Sequence, residues 1–170
     1  MASRRRGAAP HTDRMVISPV TDLPLIVHRQ ILSARRAKSA DGCLRLFERN
    51  GWTNGWVNGV YDYHHYHAAT HEALGVISGK ASVCFGGPDG PVVTVKAGDV
   101  VIIPAGIAHK RVAATGKVVI VGAYPDGRRP DRNLGVPGPA KTRQVARVPR
   151  PATDPVFGAA GGLRKFWSAA

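Results

Sequence analysis

Four histidines and one glutamate fall within nine consecutive residues, in the segment HHYHAATHE that runs from His64 to Glu72. The chain has 170 residues and seven histidines, so more than half of its imidazoles are concentrated here. Imidazole nitrogens and carboxylate oxygens are side-chain ligands that bind divalent transition metals such as Fe, Mn, Ni and Zn. The segment therefore indicates a metal site rather than a set of unrelated surface histidines.

The spacing of these residues brings two imidazoles to the same face if they lie on a β-strand. Side chains at positions i and i+2 of a strand point to the same face, so His65 and His67 would be neighbouring donors on one surface. A bend over residues 68–70 would let Glu72 begin the next strand, with its carboxylate turned toward them. His71 is the competing ligand, but it faces away from Glu72 if both lie on one strand, and we favour Glu72.

A further candidate ligand, His109, follows the segment GDVVIIPAGIA. We predict a turn at Gly98-Asp99, a strand over residues 100–103 and a tight corner at Pro104-Ala105-Gly106, where glycine tolerates a positive φ. His109 would then lie near the start of the next strand. If that strand lies across from His65, its imidazole completes a set of three histidines and one carboxylate.

Short strands are the elements that would position these residues. From residue 52 to residue 124, runs rich in Val and Ile alternate with Gly, Pro, Asn and Asp turn signals about every 8–10 residues, which is typical of a sandwich or small barrel. Ahead of them, residues 24–33 predict a first strand. Residues 41–49 predict a short helix that Asp41 caps, with Cys43, Leu46 and Phe47 on its buried face.

The net charge of +13 lies in the two flanks of the chain. Residues 51–125 hold five Lys or Arg against four Asp or Glu, whereas residues 1–50 hold ten against four and residues 126–170 hold nine against three. The flanks lack the interleaved aromatic residues that stack on single-stranded bases, and no helix-turn-helix or finger pattern is present, so we expect no specific nucleic-acid binding.

The same composition predicts one domain with two extensions. An apolar content of 44% is sufficient for a core. We predict a flexible basic arm over residues 1–22, the barrel with its first strand and helix over residues 23–125, and a Pro/Arg-rich extension over residues 126–170 that packs on the barrel. No stretch has the length of a membrane span and no apolar segment follows the N-terminal arginines, so we expect a cytoplasmic protein without a membrane partner.

Two motifs of the sequence resemble those of the cupin superfamily. The first has the pattern G-x5-H-x-H-x4-E-x6-G, formed by Gly59, His65, His67, Glu72 and Gly79. The second has the pattern G-x5-P-x-G-x2-H-x3-N, formed by Gly98, Pro104, Gly106 and His109, with Ala113 at the position of the final Asn. The resemblance covers about residues 57–125. The sequence around these motifs is also similar to that of small single-barrel bacterial cupins.

The resemblance implies an all-β fold, a double-stranded β-helix or jelly roll, with a short helix before the barrel and an irregular C-terminal tail. Carried over by position, the implied metal ligands are His65, His67, Glu72 and His109, and the implied cofactor is a divalent Fe, Mn, Ni or Zn ion. The implied function is that of a small-molecule oxygenase or isomerase with an open-coordinated metal. The alternative is a binding or sensing module without turnover. Pairing of barrels through edge strands predicts a homodimer.

Two residues are candidates for acting on the substrate. By strand alternation Tyr63 faces inward together with Tyr61, either to hydrogen-bond a ligand or to fill the barrel. Arg111 lies two residues beyond His109 and would share its face. It would either anchor an anionic substrate or reach solvent at the rim, because a lone buried arginine is costly.

Overall fold

The structure is a computed structural model that describes residues 9–17 and 19–168. The strands in this part of the chain form one curled antiparallel sheet: β1 (His11–Met15), β2 (Leu25–Arg29), β3 (Trp52–Asn58), β4 (His65–Tyr66), β5 (Glu72–Phe85), β6 (Val92–Lys96), β7 (Val100–Ile103), β8 (His109–Pro125) and β9 (Asn133–Leu134). Their order in the sheet is β1-β2-β7-β5-β8-β4-β9, with β3 added to β8 and β6 added to β5. The predicted all-β fold is confirmed.

Four helices flank the sheet in the described residues: α1 (Ile31–Ala34), α2 (Ala40–Arg49), α3 (Pro139–Val145) and α4 (Gly162–Phe166). None of them combines the length and the apolar character that crossing a bilayer requires.

The pairing of β5 with β8 closes the sheet on itself. His109, at the start of β8, pairs with Phe85 at the end of β5, and Ala123 pairs with Ala73 at the other end of the ladder. A straight strand of this length would hold its two ends more than about 40 Å apart. The ladder carries three register shifts, which bend and twist antiparallel pairs. The curl brings the start of β5 and the start of β8 to the same place, as a double-stranded β-helix requires.

Apolar side chains are buried on both faces of the central strands. All four residues of β7 are buried, and β2 is buried from Leu25 to His28. One cluster fills the barrel interior and includes Leu74, Val101 and Ile103. A second lies between the outside of the sheet, α2 and the C-terminal residues, and includes Phe47 and Trp167. A third, smaller cluster includes Tyr66 and Val145. Burial on both faces accounts for the continuous Val/Ile runs of the sequence.

Helix α2 forms where the sequence predicts it, with a different cap. It covers Ala40–Arg49, and its N-cap is Ser39, whose hydroxyl accepts the backbone N–H of Gly42 at 3.0 Å. The prediction that Asp41 caps the helix is wrong, since Asp41 lies in the first turn, where its charge complements the helix dipole. The predicted buried face is confirmed. A β-carbon on Gly75 of β5 would lie 2.5 Å from Cys43 Sγ, so this close packing requires glycine.

The predicted first strand, residues 24–33, forms only over Leu25–Arg29 as β2. The prediction is wrong for residues 31–33, which begin α1, because Gln30 ends the strand with a left-handed conformation at φ 54°. The predicted flexible arm differs from the structure in part, since His11–Met15 forms β1 along the edge of β2. Arg29 ties the two strands together with a contact of 2.8 Å to Asp13. Residues 1–8 and 18 of the arm lie outside the described residues.

The C-terminal extension, residues 126–168 of the described chain, runs over the outside of the sheet and carries β9, α3 and α4. A buried contact of 2.9 Å joins Asp154 of the extension to His28 of β2. The indole N–H of Trp167 donates to the Pro24 carbonyl at 2.9 Å. Short β9 pairs with β4, so the extension also reaches the histidine segment.

Candidate metal centre

Three imidazoles converge inside the barrel. His65 on β4 pairs directly with His109 on β8, and His67 follows at the end of β4. One nitrogen from each of these rings lies within 4.8 Å of the others, and all three residues are buried. The corner before His109 forms as predicted, with Gly106 at φ +85°. A side chain there would be strained and would also collide with Val20 and Val145.

The backbone fixes which nitrogen each ring offers. The Nδ1 atom of His109 lies 3.0 Å from the Ile107 carbonyl, and that of His65 lies 3.4 Å from the Tyr63 carbonyl. The Nδ1 atom of His67 contacts the Asp131 carbonyl. A carbonyl only accepts, so each Nδ1 carries the hydrogen and donates it. Each Nε2 is then left with a lone pair that can bind a metal. In metal-binding histidines, a hydrogen bond from the other ring nitrogen to a carbonyl orients the ring.

The carboxylate of Glu72 lies between these nitrogens. Its Oε2 atom is 3.1 Å from Nε2 of His67 and 3.3 Å from Nε2 of His109. Its Oε1 atom accepts the phenol hydrogen of Tyr124 at 3.2 Å. With the three imidazoles in the tautomer that the backbone sets, every atom facing the centre of the cluster is an acceptor. Such a set is stabilised only by a cation, either protons or a metal ion, and N/O donors of this kind suit a divalent transition metal.

The charges of the cluster follow from the same arrangement. Burial alone would raise the pKa of Glu72, but His67 and His109 outweigh it and hold that pKa well below its usual range. Burial lowers the pKa of His65 to about 4, with His109 and His67 adding to the effect. Burial also opposes protonation of His67, but the adjacent Glu72 carboxylate prevails and raises its pKa. The centre therefore holds one carboxylate that stays ionised at neutral pH.

His71 lies apart from this cluster. Its Nδ1 atom accepts the backbone N–H of Ala105 at 2.9 Å, and its Nε2 atom donates to the Pro149 carbonyl at 3.2 Å. Its ring also packs against Trp167, with 4.7 Å between the ring centres. Both nitrogens are used by the protein, so His71 joins the barrel to the C-terminal extension.

A cavity of about 500 Å³ opens onto the four side chains, all of which line it. Tyr61 and Arg132 line it as well, whereas Tyr63 and Arg111 are not among the described residues in its wall. Strand alternation does not reach Tyr61 and Tyr63, because β4 begins only at His65. Their rings instead stack on each other, 4.9 Å apart. The roles of Tyr63 and Arg111 on a substrate stay predictions.

Sequence reasoning did not find several residues that build the site. Tyr124 and Trp56 line the cavity, and the Trp56 indole N–H donates to the Tyr124 hydroxyl at 2.8 Å. Alternation along β8 from His109 would turn Tyr124 to the opposite face, since fifteen residues separate the two, and the register shifts of the β5–β8 ladder are not visible in the sequence. Asp131 enters from the C-terminal extension, where no local pattern marks it.

Comparison with known proteins agrees with the motifs. The family profile described as "Cupin domain" matches residues 56–121. "Uncharacterized protein YjlB" of Bacillus subtilis (strain 168) is 36% identical over 148 residues, which cover 86% of this chain and 87% of that protein. The chain belongs to the cupin superfamily.

Solved structures with similar folds have lower identity to this cupin. An uncharacterized conserved protein with a double-stranded beta-helix domain from Klebsiella pneumoniae is 18% identical, with a TM-score of 0.39, over 79% of this chain and 85% of that one. Acireductone dioxygenase from Bacillus anthracis, with a cadmium ion in its active center, is 15% identical, also with a TM-score of 0.39, over 54% and 61%.

The one departure of this cupin from the second motif lies away from the cluster. Ala113, at the position of the motif's Asn, is exposed on β8 and pairs with Ser82. The substitution therefore removes no group from the cavity wall or from the four candidate ligands.

Proposed function

We propose that this cupin is a metal-dependent enzyme that acts on a small molecule, as an oxygenase or an isomerase. His65, His67, Glu72 and His109 are the proposed ligands of a divalent Fe, Mn, Ni or Zn ion. The observation that carries the proposal is the convergence of three imidazoles, one nitrogen of each within 4.8 Å of the others, and the Glu72 carboxylate on the wall of one cavity. An ion bound there supplies Lewis-acid polarisation or redox activation of the substrate.

The protein's own residues support this chemistry by holding the ligands and by giving a small molecule access to them. Backbone carbonyls orient the three rings, and Tyr124 holds one oxygen of Glu72 so that the other faces the histidines. The cavity is of a size that suits a small ligand. Tyr63 and Arg111 stay proposals from the sequence alone: Tyr63 stacks on Tyr61, which lines the cavity, and Arg111 follows His109 by two residues on β8.

Elemental analysis followed by turnover assays tests the proposal. We expect the purified full-length chain to hold about one transition-metal ion per chain and His67→Gln to lose it. His71→Gln is the matched control, which should keep the metal. The protein loaded in turn with Fe, Mn, Ni and Zn is then tested for oxygen uptake and for product formation on small acids, phenols and sugars. Binding of such compounds without conversion in every metal form would favour the non-catalytic alternative.

Two further proposals concern the surroundings of the protein. We place it in the cytoplasm, and we propose a homodimer that forms through edge strands. Strand β1 supports the latter, because among the described residues it pairs only with β2, and the backbone groups of an edge strand can pair with a second copy. Light scattering after size exclusion would contradict the dimer if it gave the mass of a single chain.

A further inference from the structure

Arg132, at the start of the C-terminal extension, brings a positive charge to the wall of the cavity. Its guanidinium carbon lies 5.6 Å from the centre of the Tyr61 ring, and its Nη1 atom donates to the Tyr61 hydroxyl at 3.4 Å. Tyr61 is itself held, because its ring stacks on Tyr63 and its backbone carbonyl accepts the N–H of Arg111 at 2.8 Å. The exposed Arg132 guanidinium therefore lies against Tyr61, which stacks on Tyr63.

Neighbouring acidic groups do not neutralise this charge. Within the described residues no carboxylate lies within ion-pair distance of Arg132. The adjacent Asp131 also lines the cavity, but its carboxylate is engaged with other groups. One oxygen accepts the backbone N–H groups of Ala68 and Ala69, both at 2.9 Å, and the other accepts from Asn133 at 2.7 Å. A guanidinium with free N–H groups beside a cavity is a site for a planar anion.

The rest of the wall suits a compact apolar body. Trp56, Val60 and Leu74 line the same cavity as Arg132 and the histidines. The four proposed ligands contribute a single negative charge, that of Glu72, so a divalent ion would leave their cluster with a net positive charge. The cavity wall then carries two positively charged groups that attract negative charge, together with side chains that attract apolar surface.

We infer that the molecule this cupin binds is a small organic anion, whose carboxylate or phosphate group is held by Arg132 and whose apolar part faces Trp56, Val60 and Leu74. This inference rests on the proposed function for the metal-bound state of the cavity. It assigns to Arg132 the anion-anchoring role that the sequence had suggested for Arg111.

Calorimetric titration of the manganese-loaded full-length protein tests the inference with three probes of similar size. Phenylacetate carries a carboxylate, phenyl phosphate carries a phosphate, and phenylacetamide is the neutral counterpart of phenylacetate. We expect at least one of the two anions to bind, and to bind about tenfold or more tightly than the amide. Arg132→Gln should weaken that anion about tenfold or more, because a charge-assisted hydrogen bond is lost.

Arg129→Gln is the matched control. It removes the same charge three residues away, at an exposed position outside the cavity wall. Binding of the anion should then be nearly unchanged. The anion that binds more tightly shows whether Arg132 holds a carboxylate or a phosphate. The inference is overturned if neither anion binds, if the amide binds as tightly, or if Arg132→Gln and Arg129→Gln have equal effects.

Metal content, measured on the same samples, separates this inference from the proposed function. If Arg132→Gln retains its manganese and loses the anion, both stand. If the wild type holds manganese but binds phenylacetamide as tightly as the anions, the anion site is wrong and the metal centre still stands. If the wild type holds no manganese or other transition metal, the proposed function itself fails.

Discussion

The phenol of Tyr124 donates a hydrogen bond to Oε1 of Glu72 at 3.2 Å, while Oε2 of the same carboxylate faces two imidazoles. The Tyr124 oxygen in turn accepts the indole N–H of Trp56 at 2.8 Å. Burial raises the pKa of Tyr124, and the nearby Glu72 charge adds to this, so the phenol keeps its proton. The hydrogen bonds from Trp56 on β3 to Tyr124 on β8, and from Tyr124 to Glu72 on β5, therefore fix the orientation of the carboxylate.

Tyr124→Phe removes this orienting hydrogen bond while preserving the ring. We expect metal affinity to fall by about tenfold, as is typical when a partner of a ligand is lost. The free energy of unfolding of the metal-free protein should fall by about 1–3 kcal/mol, because Glu72 and Trp56 each lose a buried partner. Metal titration and urea denaturation measure the two effects. Unchanged affinity in Tyr124→Phe would show that the hydroxyl does not position Glu72.

Substitution of the histidines distinguishes ligands from structural residues. His65→Gln and His109→Gln should each lose most of their bound metal, and the rise in melting temperature on adding metal should shrink with it, since a ligand stabilises only the state that binds it. His71→Gln should keep the metal, because both nitrogens of His71 contact backbone groups instead. Loss of metal from His71→Gln but not from Glu72→Gln would show that His71, and not Glu72, is the metal ligand.

The pH dependence of stability provides a separate test on His71. Burial lowers the pKa of this imidazole from 6.5 to about 4. Below pH 6.5 the unfolded chain takes up a proton that the folded chain refuses, so stability falls with falling pH and the loss ends near pH 4. A shift of this size corresponds to at most about 3 kcal/mol.

We therefore expect the unfolding free energy of the metal-free wild type to decrease from pH 7 to pH 4, measured by urea denaturation at each pH. In His71→Gln this decrease should be smaller. The comparison between the two proteins isolates His71, because the pKa of His65 is also lowered to about 4 and contributes with the same sign in both. Parallel curves for wild type and variant would contradict the assignment.

The parts of the site that could be predicted are those that depend on the spacing of residues close together in the sequence. The HxH pair and the Pro-x-Gly corner specify short strands and a turn, and these bring His65, His67 and His109 to one place once the sheet closes. The cap of α2 was misassigned because Ser39 and Asp41 both resemble N-caps, and only the backbone conformation at Ser39 distinguishes them.

The parts that could not be predicted depend on contacts distant in sequence. Tyr61 and Tyr63 were assigned by strand alternation, yet the chain is not a strand until His65. Arg132 reaches the cavity only because β9 pairs with β4, and two-residue strands leave no periodic signal in a sequence. Composition distinguishes residues 126–170 from the rest of the chain, but it carries no information on their contribution to the site.

Asp131 provides a test of that contribution. Its backbone carbonyl accepts from His67, and its side chain accepts the N–H groups of Ala68 and Ala69 in the loop after β4. Asp131→Ala should leave these partly buried N–H groups without a partner, which costs up to about 1–3 kcal/mol, and should weaken metal binding about tenfold by loosening His67. Asp131→Asn keeps an oxygen for both N–H groups and should retain most of the wild-type affinity. Asp89→Ala, at an exposed turn, controls for loss of a carboxylate. If Asp131→Ala binds metal as tightly as Asp89→Ala, the extension packs against the barrel without positioning its histidines.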